Sequence, residues 1–150
     1  MNILRFLTPK SKVAYIYTDY TVRQALEKME YHRYTAIPMI DRSGIYVGTL
    51  TEGDLLWAIK NDFALDLKAA ENVPISQIAR KMDNAPARVD TSMEDLVEMA
   101  LEQNFIPVTD DRGVFIGIVT RKDVIVYCID SMKTPKIRSF ALQEAVSSLS

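Results

Sequence analysis

Apolar and polar positions along this chain fall into two periods, one suited to strands and one to helices, and the order in which the periods change is written twice. Leu4 and Leu7 sit at helical spacing, and Thr8-Pro9 ends that turn because a residue before proline resists the helical region. Val13-Ala14-Tyr15-Ile16-Tyr17 predicts a short strand. Thr21 then reads as the N-cap of a helix that carries Val22, Ala25, Leu26 and Met29 on one face. Thr35-Ala36-Ile37-Pro38-Met39-Ile40 predicts a second strand, in which Pro38 cannot donate to a ladder and so suits an edge or a strand entry. Asp41-Arg42-Ser43-Gly44 predicts a tight turn with positive φ at the glycine, Tyr46 to Leu50 a returning strand, and Glu52 the start of another helix.

The second pass predicts a helix from Ile75 to Lys81, a strand around Ala87-Arg88-Val89, a helix from Met93 to Gln103 and a strand from Ile106 to Thr109. The turn Asp110-Asp111-Arg112-Gly113, a strand from Phe115 to Val119 and a helix from Arg121 complete it. The offset between the copies is 69 residues from Ile37/Ile106 onward and 71 upstream, where Leu4 matches Ile75, Ala14 matches Ala85 and Thr21 matches Ser92. The second copy is therefore two residues shorter between its long helix and the strand after it. These limits divide the chain into repeat 1 at 1–60, a connector at 61–73, repeat 2 at 74–131 and a tail at 132–150. Neither repeat alone is long enough to bury a sound core, so the expected architecture is an α+β fold in which the two pack face to face about a pseudo-twofold axis. Phe63, Leu65 and Leu67 suggest that the connector is packed against something. The tail opens with Lys133, Lys136 and Arg138 and continues with Phe140, Leu142, Val146 and Leu149, a pattern equally suited to an amphipathic helix meeting a partner and to a frayed end.

Composition removes several classes of function. A net charge of -2 supplies no basic field for nucleic acid or an anionic membrane. Cys128 is the one cysteine, which excludes an intramolecular disulfide and a multi-cysteine metal site; its apolar helix makes it a core residue. No run is long enough to span a bilayer, and Met1 to Leu7 lacks the pattern of a signal peptide, so the expectation is a cytoplasmic protein. His32, the single histidine, stands beside Arg33 at a helix end with no second His or Cys to share a metal, and reads as a capping or surface group. Met29, Met39, Met93 and Met99 fall on core faces. There is no Walker-type loop and no nucleophile with an evident base, so no enzyme is expected.

The candidate chemistry lies in a doubled turn, Gly48-Thr49-Leu50-Thr51-Glu52-Gly53-Asp54 and Gly117-Ile118-Val119-Thr120-Arg121-Lys122-Asp123. A hydroxyl and free N–H groups at a helix start donate to phosphate, helped by the helix dipole, and an acidic side chain on the next half-turn accepts from ribose hydroxyls. The structural alternative is a capping box, in which hydroxyl and carboxylate satisfy the helix's own first donors.

The unit, with Ala-Ile-Pro before its hairpin and the doubled turn after it, resembles the cystathionine-β-synthase (CBS) domain, and two in tandem resemble a Bateman module, over roughly residues 1–131. The resemblance implies a regulatory module that binds adenosine-containing ligands in clefts between repeats, often as a disc-shaped homodimer, and requires no other cofactor. It implies one site from Lys12, Ala14, Tyr34, Thr35, Ala36 and Pro38 with Thr120, Arg121 and Asp123. Lys12 and Arg121 would serve phosphate there, with Tyr34 for stacking and the small Ala36 leaving room for a base. It implies a second from Ala85, Ala87, Asn104, Phe105 and Ile106 with Thr51 and Asp54, where Phe105 departs from the small-residue pattern and would fill the space. The Lys12-Val13-Ala14, Tyr34-to-Pro38 and Thr120-Arg121 segments are also similar to stand-alone bacterial CBS pairs that receive cyclic di-AMP, with AMP, ADP and ATP as rival ligands and an unidentified target protein as listener. The alternative class is an interaction or dimerisation module with vestigial clefts.

Overall fold

The computed structural model describes residues 2–81 and 83–133; Met1, Met82 and 134–150 lie outside that description, and with them the expectation for the tail beyond Lys133. In chain order the elements are β1 (Thr8–Pro9), β2 (Ile16–Tyr17), α1 (Val22–His32), β3 (Ala36–Ile40), β4 (Tyr46–Thr51), α2 (Glu52–Asp62), the short α3 (Leu67–Ala70), β5 (Ala87–Arg88), α4 (Met93–Glu102), β6 (Phe105–Thr109), β7 (Phe115–Thr120) and α5 (Arg121–Met132). This is the expected α+β arrangement. One sheet has the order β2-β3-β4 and the other β1-β7-β6-β5, with β3-β4 and β6-β7 antiparallel and β2-β3 and β5-β6 parallel.

The helix starts obey local chemistry. Thr21, Thr51 and Thr120 each accept from the backbone N–H three residues on, and Gln24, Asp54 and Asp123 return the bond to the cap N–H, three complete capping boxes. The two hairpin turns are equally alike. Asp41 Oδ1 accepts from the N–H groups of Ser43 and Ile45, Asp110 Oδ1 from those of Arg112 and Val114, and Gly44 and Gly113 adopt φ of 88° and 85°, the left-handed region that glycine enters without steric cost. The hairpins meet across the pseudo-twofold axis, where Tyr46 N–H donates to the Gly113 carbonyl at 3.0 Å and Phe115 N–H to the Gly44 carbonyl at 2.9 Å.

The main departures from the expected elements occur at the start of each repeat. The turn expected around Leu4 is a 3-10 turn, Ile3–Arg5, and Thr8-Pro9 beyond its end is not merely a stop: it forms β1, paired with Gly117 and Ile118 of the other repeat's sheet. Ile3 is buried in the core of repeat 2 beside Leu96, Ile106 and Val119, with Phe6 and Leu7 against it, while Leu4 is exposed. Reciprocally, Ile75 and Ile78 are buried in the core of repeat 1 with Ile16, Ile37 and Leu50. The helix expected from Ile75 to Lys81 is only a 3-10 turn, Ile75–Gln77, because Pro74 opens it and the chain must then run on across the other repeat. The two leading segments are thus exchanged, and each delivers isoleucine whose burial contributes roughly 1.5–3 kcal/mol per side chain.

Lesser corrections have similar causes. Val13 to Tyr15 are not strand, since Lys10–Lys12 form a 3-10 turn and pairing with β3 begins at Ile16. Pro38 lies in the middle strand of its sheet, yet β2 reaches only Met39 and Ile40, so the ladder on that side stops short of the proline. In the connector Phe63 packs against the first core and Ala70 is buried, whereas Leu65 and Leu67 are exposed. Cys128 packs against the second core, and burial pushes its thiol pKa up.

Candidate functional site

Between the two repeats opens a cleft of about 310 Å3 lined by Val13, Arg33, Tyr34, Thr35, Ala36 and Pro38 from the first repeat and Asn104, Phe105, Ile118 and Thr120 from the second. Of the residues assigned to the first site from the sequence, Tyr34, Thr35, Ala36, Pro38 and Thr120 come together here. The chain needs both repeats to make it: Tyr34 to Ala36 lead into β3, and Thr120 ends β7 and caps α5. Arg121 N–H donates to the Asn104 carbonyl at 2.9 Å, as Glu52 N–H does to that of Thr35, and these bonds tie each helix start to the residues ahead of the opposing strand of its own sheet.

The other assigned residues stand as follows. Ala14 is buried in the first core and does not line the cleft. Lys12 is exposed at the end of its 3-10 turn, one residue before the cleft-lining Val13. Arg121 turns its guanidinium toward α4, where Nε donates to the Ala100 carbonyl at 2.7 Å. Asp123 is partly exposed at the first turn of α5. Its Oδ2 accepts from Thr120 N–H at 3.3 Å, and among the described residues no donor reaches Oδ1. The cation that does line the cleft is Arg33, held in the left-handed conformation (φ 56°) at the end of α1. It was missed because nothing in the local sequence says that the helix stops there with its last residue facing the cleft.

Among the described residues the second assigned set is distributed differently. Asn104 and Phe105 line the first, Ala87 and Ile106 are buried in the second core, and Ala85 is exposed. Asp54, paired with its cap Thr51, meets the segment ahead of β5. Asp54 is only 5% exposed, and both of its oxygens are taken, Oδ2 by Thr51 N–H at 3.0 Å and Oδ1 by Lys81 N–H at 3.0 Å. Farther along the segment, Asp83 Oδ1 accepts from Thr49 N–H at 3.2 Å and from Arg80 Nε at 2.7 Å, with Arg80 Nη2 to Oδ2 at 3.3 Å. A Cβ on Gly48 would collide with Asp83 and Arg80, so glycine there lets the pair lie on the strand. Burial raises the Asp83 pKa, but the Arg80 and Thr49 donors outweigh it and hold the carboxyl below the usual range.

Behind the pair, Tyr46 O–H donates to the Asn84 carbonyl at 2.7 Å and shares a 2.7 Å bond with the Thr49 hydroxyl, while Asn84 Nδ2 donates to the Phe105 carbonyl at 3.1 Å. Burial pushes the Tyr46 phenol up to about 12, the Thr49 bond opposing it. The only sequence signal for this network is the offset of 71, which sets Asp83 against Lys12 and Asn84 against Val13.

Comparison with known proteins agrees with this architecture. The model of the family described as CBS domain matches residues 5–61 and 75–130. The chain is 27% identical over 146 residues to the CBS domain-containing protein CBSX1, chloroplastic, of Arabidopsis thaliana, covering 80% of this chain and 61% of that protein. It therefore spans about three fifths of the length of the curated relatives it matches, 61% and 60% for CBSX1 and CBSX2. Among solved structures, CBSX2 in complex with AMP superposes with a TM-score of 0.68 at 25% identity, covering 86% of this chain and 96% of that one. CbpB in complex with c-di-AMP superposes with a TM-score of 0.76, covering 99% and 91%, and at 19% identity shows the fold alone.

Proposed function

Because the chain belongs to the CBS-domain family, we propose that it is a regulatory module that takes an adenine nucleotide into the cleft between its repeats and signals occupancy to a partner protein. One observation carries this reading: the cleft is composite, with Tyr34, Thr35 and Ala36 on one repeat facing Thr120 on the other, so a ligand bridging them is sensitive to how the repeats are set. A ligand that prefers one setting shifts the population of partner-competent protein by its differential affinity.

In this reading the apolar wall of Val13, Pro38 and Ile118 and the ring of Tyr34 enclose the base, and Ala36 leaves it room. The partly free carboxylate of Asp123 accepts from the ribose, and Thr120, the start of α5 and Arg33 serve phosphate. A volume near 310 Å3 is at the small end of ligand pockets, roughly 300–1,000 Å3, which favours a mononucleotide such as AMP over cyclic di-AMP. Support for AMP also comes from the related CBSX2 complex.

Isothermal titration with AMP, ADP, ATP and cyclic di-AMP tests the proposal. Asp123→Ala is expected to weaken the preferred ligand by about 10- to 100-fold, the range of a hydrogen bond to a charged group. Absence of heat and of any thermal shift with all four would defeat it.

The alternative of an interaction module is favoured by a different observation: Leu56 and Trp57 on α2 and Ile125, Val126 and Ile129 on α5 are exposed. Such faces suit a second copy of the chain, and sedentary dimerisation without nucleotide response would support that class alone.

A further inference from the structure

The doubled turn suggests two equivalent ligand sites, but the two helix starts are not in the same chemical state. Asp123 leaves an oxygen without a donor among the described residues, whereas Asp54 is buried with one backbone donor, Thr51 or Lys81 N–H, on each oxygen. Each Asp54 oxygen already holds a backbone donor and the residue is only 5% exposed, so a ribose hydroxyl would have to share a bonded oxygen inside a closed site.

The backbone donor beside it is also committed. Thr49 N–H, which faces away from β3 on the outer side of β4, is bonded to Asp83, whose charge is balanced by Arg80 at 2.7 Å. The carboxylate covers β4 at the position equivalent to Ile118, which in the open cleft is part of the ligand-facing wall. Its negative charge also repels a phosphate brought to the same place.

We propose that the Arg80–Asp83 pair is a built-in occupant of the second cleft and that these two residues set the stoichiometry at one nucleotide per chain. The proposal rests on the adenine-nucleotide reading of the first cleft. Closure itself, however, is a property of the nucleotide-free protein. Asp83 covers the strand, Arg80 neutralises its charge, and Gly48 makes space for both.

Two measurements test it separately from that reading. Without nucleotide, amide hydrogen exchange at Thr49 is expected to be slow in the wild type and several-fold faster in Asp83→Ser, because the shorter serine side chain withdraws the carboxylate oxygen that Thr49 N–H bonds; equal rates would overturn closure. With AMP, titration of the wild type is expected to saturate at one per chain, and Asp83→Ser to gain a second, weaker binding event. Two equivalent events in the wild type, or one event only in a folded Asp83→Ser protein, would overturn the assignment. Should Asp83→Ser not fold, amide resonances of the wild type decide: AMP is expected to move those of Thr120 and Arg121 and to leave Thr49 and Lys81 in place. Equal shifts at both helix starts would overturn the proposal. If AMP moves neither while Thr49 remains protected, the nucleotide reading fails and closure stands.

Discussion

The open cleft is lined by the cation Arg33, with Lys12 one residue before its wall and Arg121 one residue after it; at the positions that the repeat makes equivalent, counting Arg33 back from its strand, the chain places Glu102, Asp83 and Glu52. The walls change in the same direction. Val13 and Ile118 become Asn84 and Thr49, and Phe115, packed with Val13, corresponds to Tyr46, hydrogen-bonded to Asn84. What does not change is the scaffold: both helix starts carry a Thr-Asp capping box and both hairpins an Asp-anchored turn with glycine at its end. Duplication has kept the groups that satisfy the backbone and altered those that a ligand would touch. A doubled motif is therefore evidence for a doubled fold, and by itself no evidence for two ligand sites.

The most damaging change to this contrast is Ala36→Phe, which gives the open cleft the residue its counterpart has at Phe105. Overpacking of a filled site costs about 1–3 kcal/mol, so AMP affinity measured by titration is expected to fall by up to about 100-fold while the melting temperature changes little, Ala36 being only partly buried. Next in size is a paired glycine test on stability. A Cβ on Gly117 would run into the Thr8 carbonyl of β1, which is backbone and cannot step aside, whereas on Gly48 it meets the Asp83 and Arg80 side chains, which can. Gly117→Ala is therefore expected to lose about 1–3 kcal/mol in denaturant unfolding and Gly48→Ala clearly less.

The smallest effect is on pH. The folded-state pKa of Asp83 is depressed, so its contribution is present above the unfolded pKa and lost as the pH falls through the folded one. With its side chain 43% exposed, solvent screening holds that contribution to about 0.5 kcal/mol. Wild type and Asp83→Asn should differ slightly in melting temperature at pH 7 and converge at pH 3.

The repeat was legible because its offset of 69 or 71 can be read along the chain, and the caps, the turns and most helices because each depends on residues within four positions of one another, as Thr51 and Asp54 do. The composite cleft was half legible: Tyr34, Thr35, Ala36 and Thr120 follow from the family pattern, but Arg33 depends on where α1 ends and Arg121 on a carbonyl, that of Ala100, far away in sequence. The exchanged leading segments were not legible at all. Thr8-Pro9 and Ile75 to Lys81 carry apolar periodicity that says they are buried without saying in which half, and only tertiary packing settles the choice.

That exchange reaches beyond packing. Because Ile3 completes one core and Ile75 the other, each half is keyed into its neighbour, and neither can melt or rotate without pulling a strand or a pair of isoleucines from its opposite number. Heat should thus produce a single cooperative transition in place of two, and a displacement begun at the cleft is passed to the opposite half through these interlocked segments.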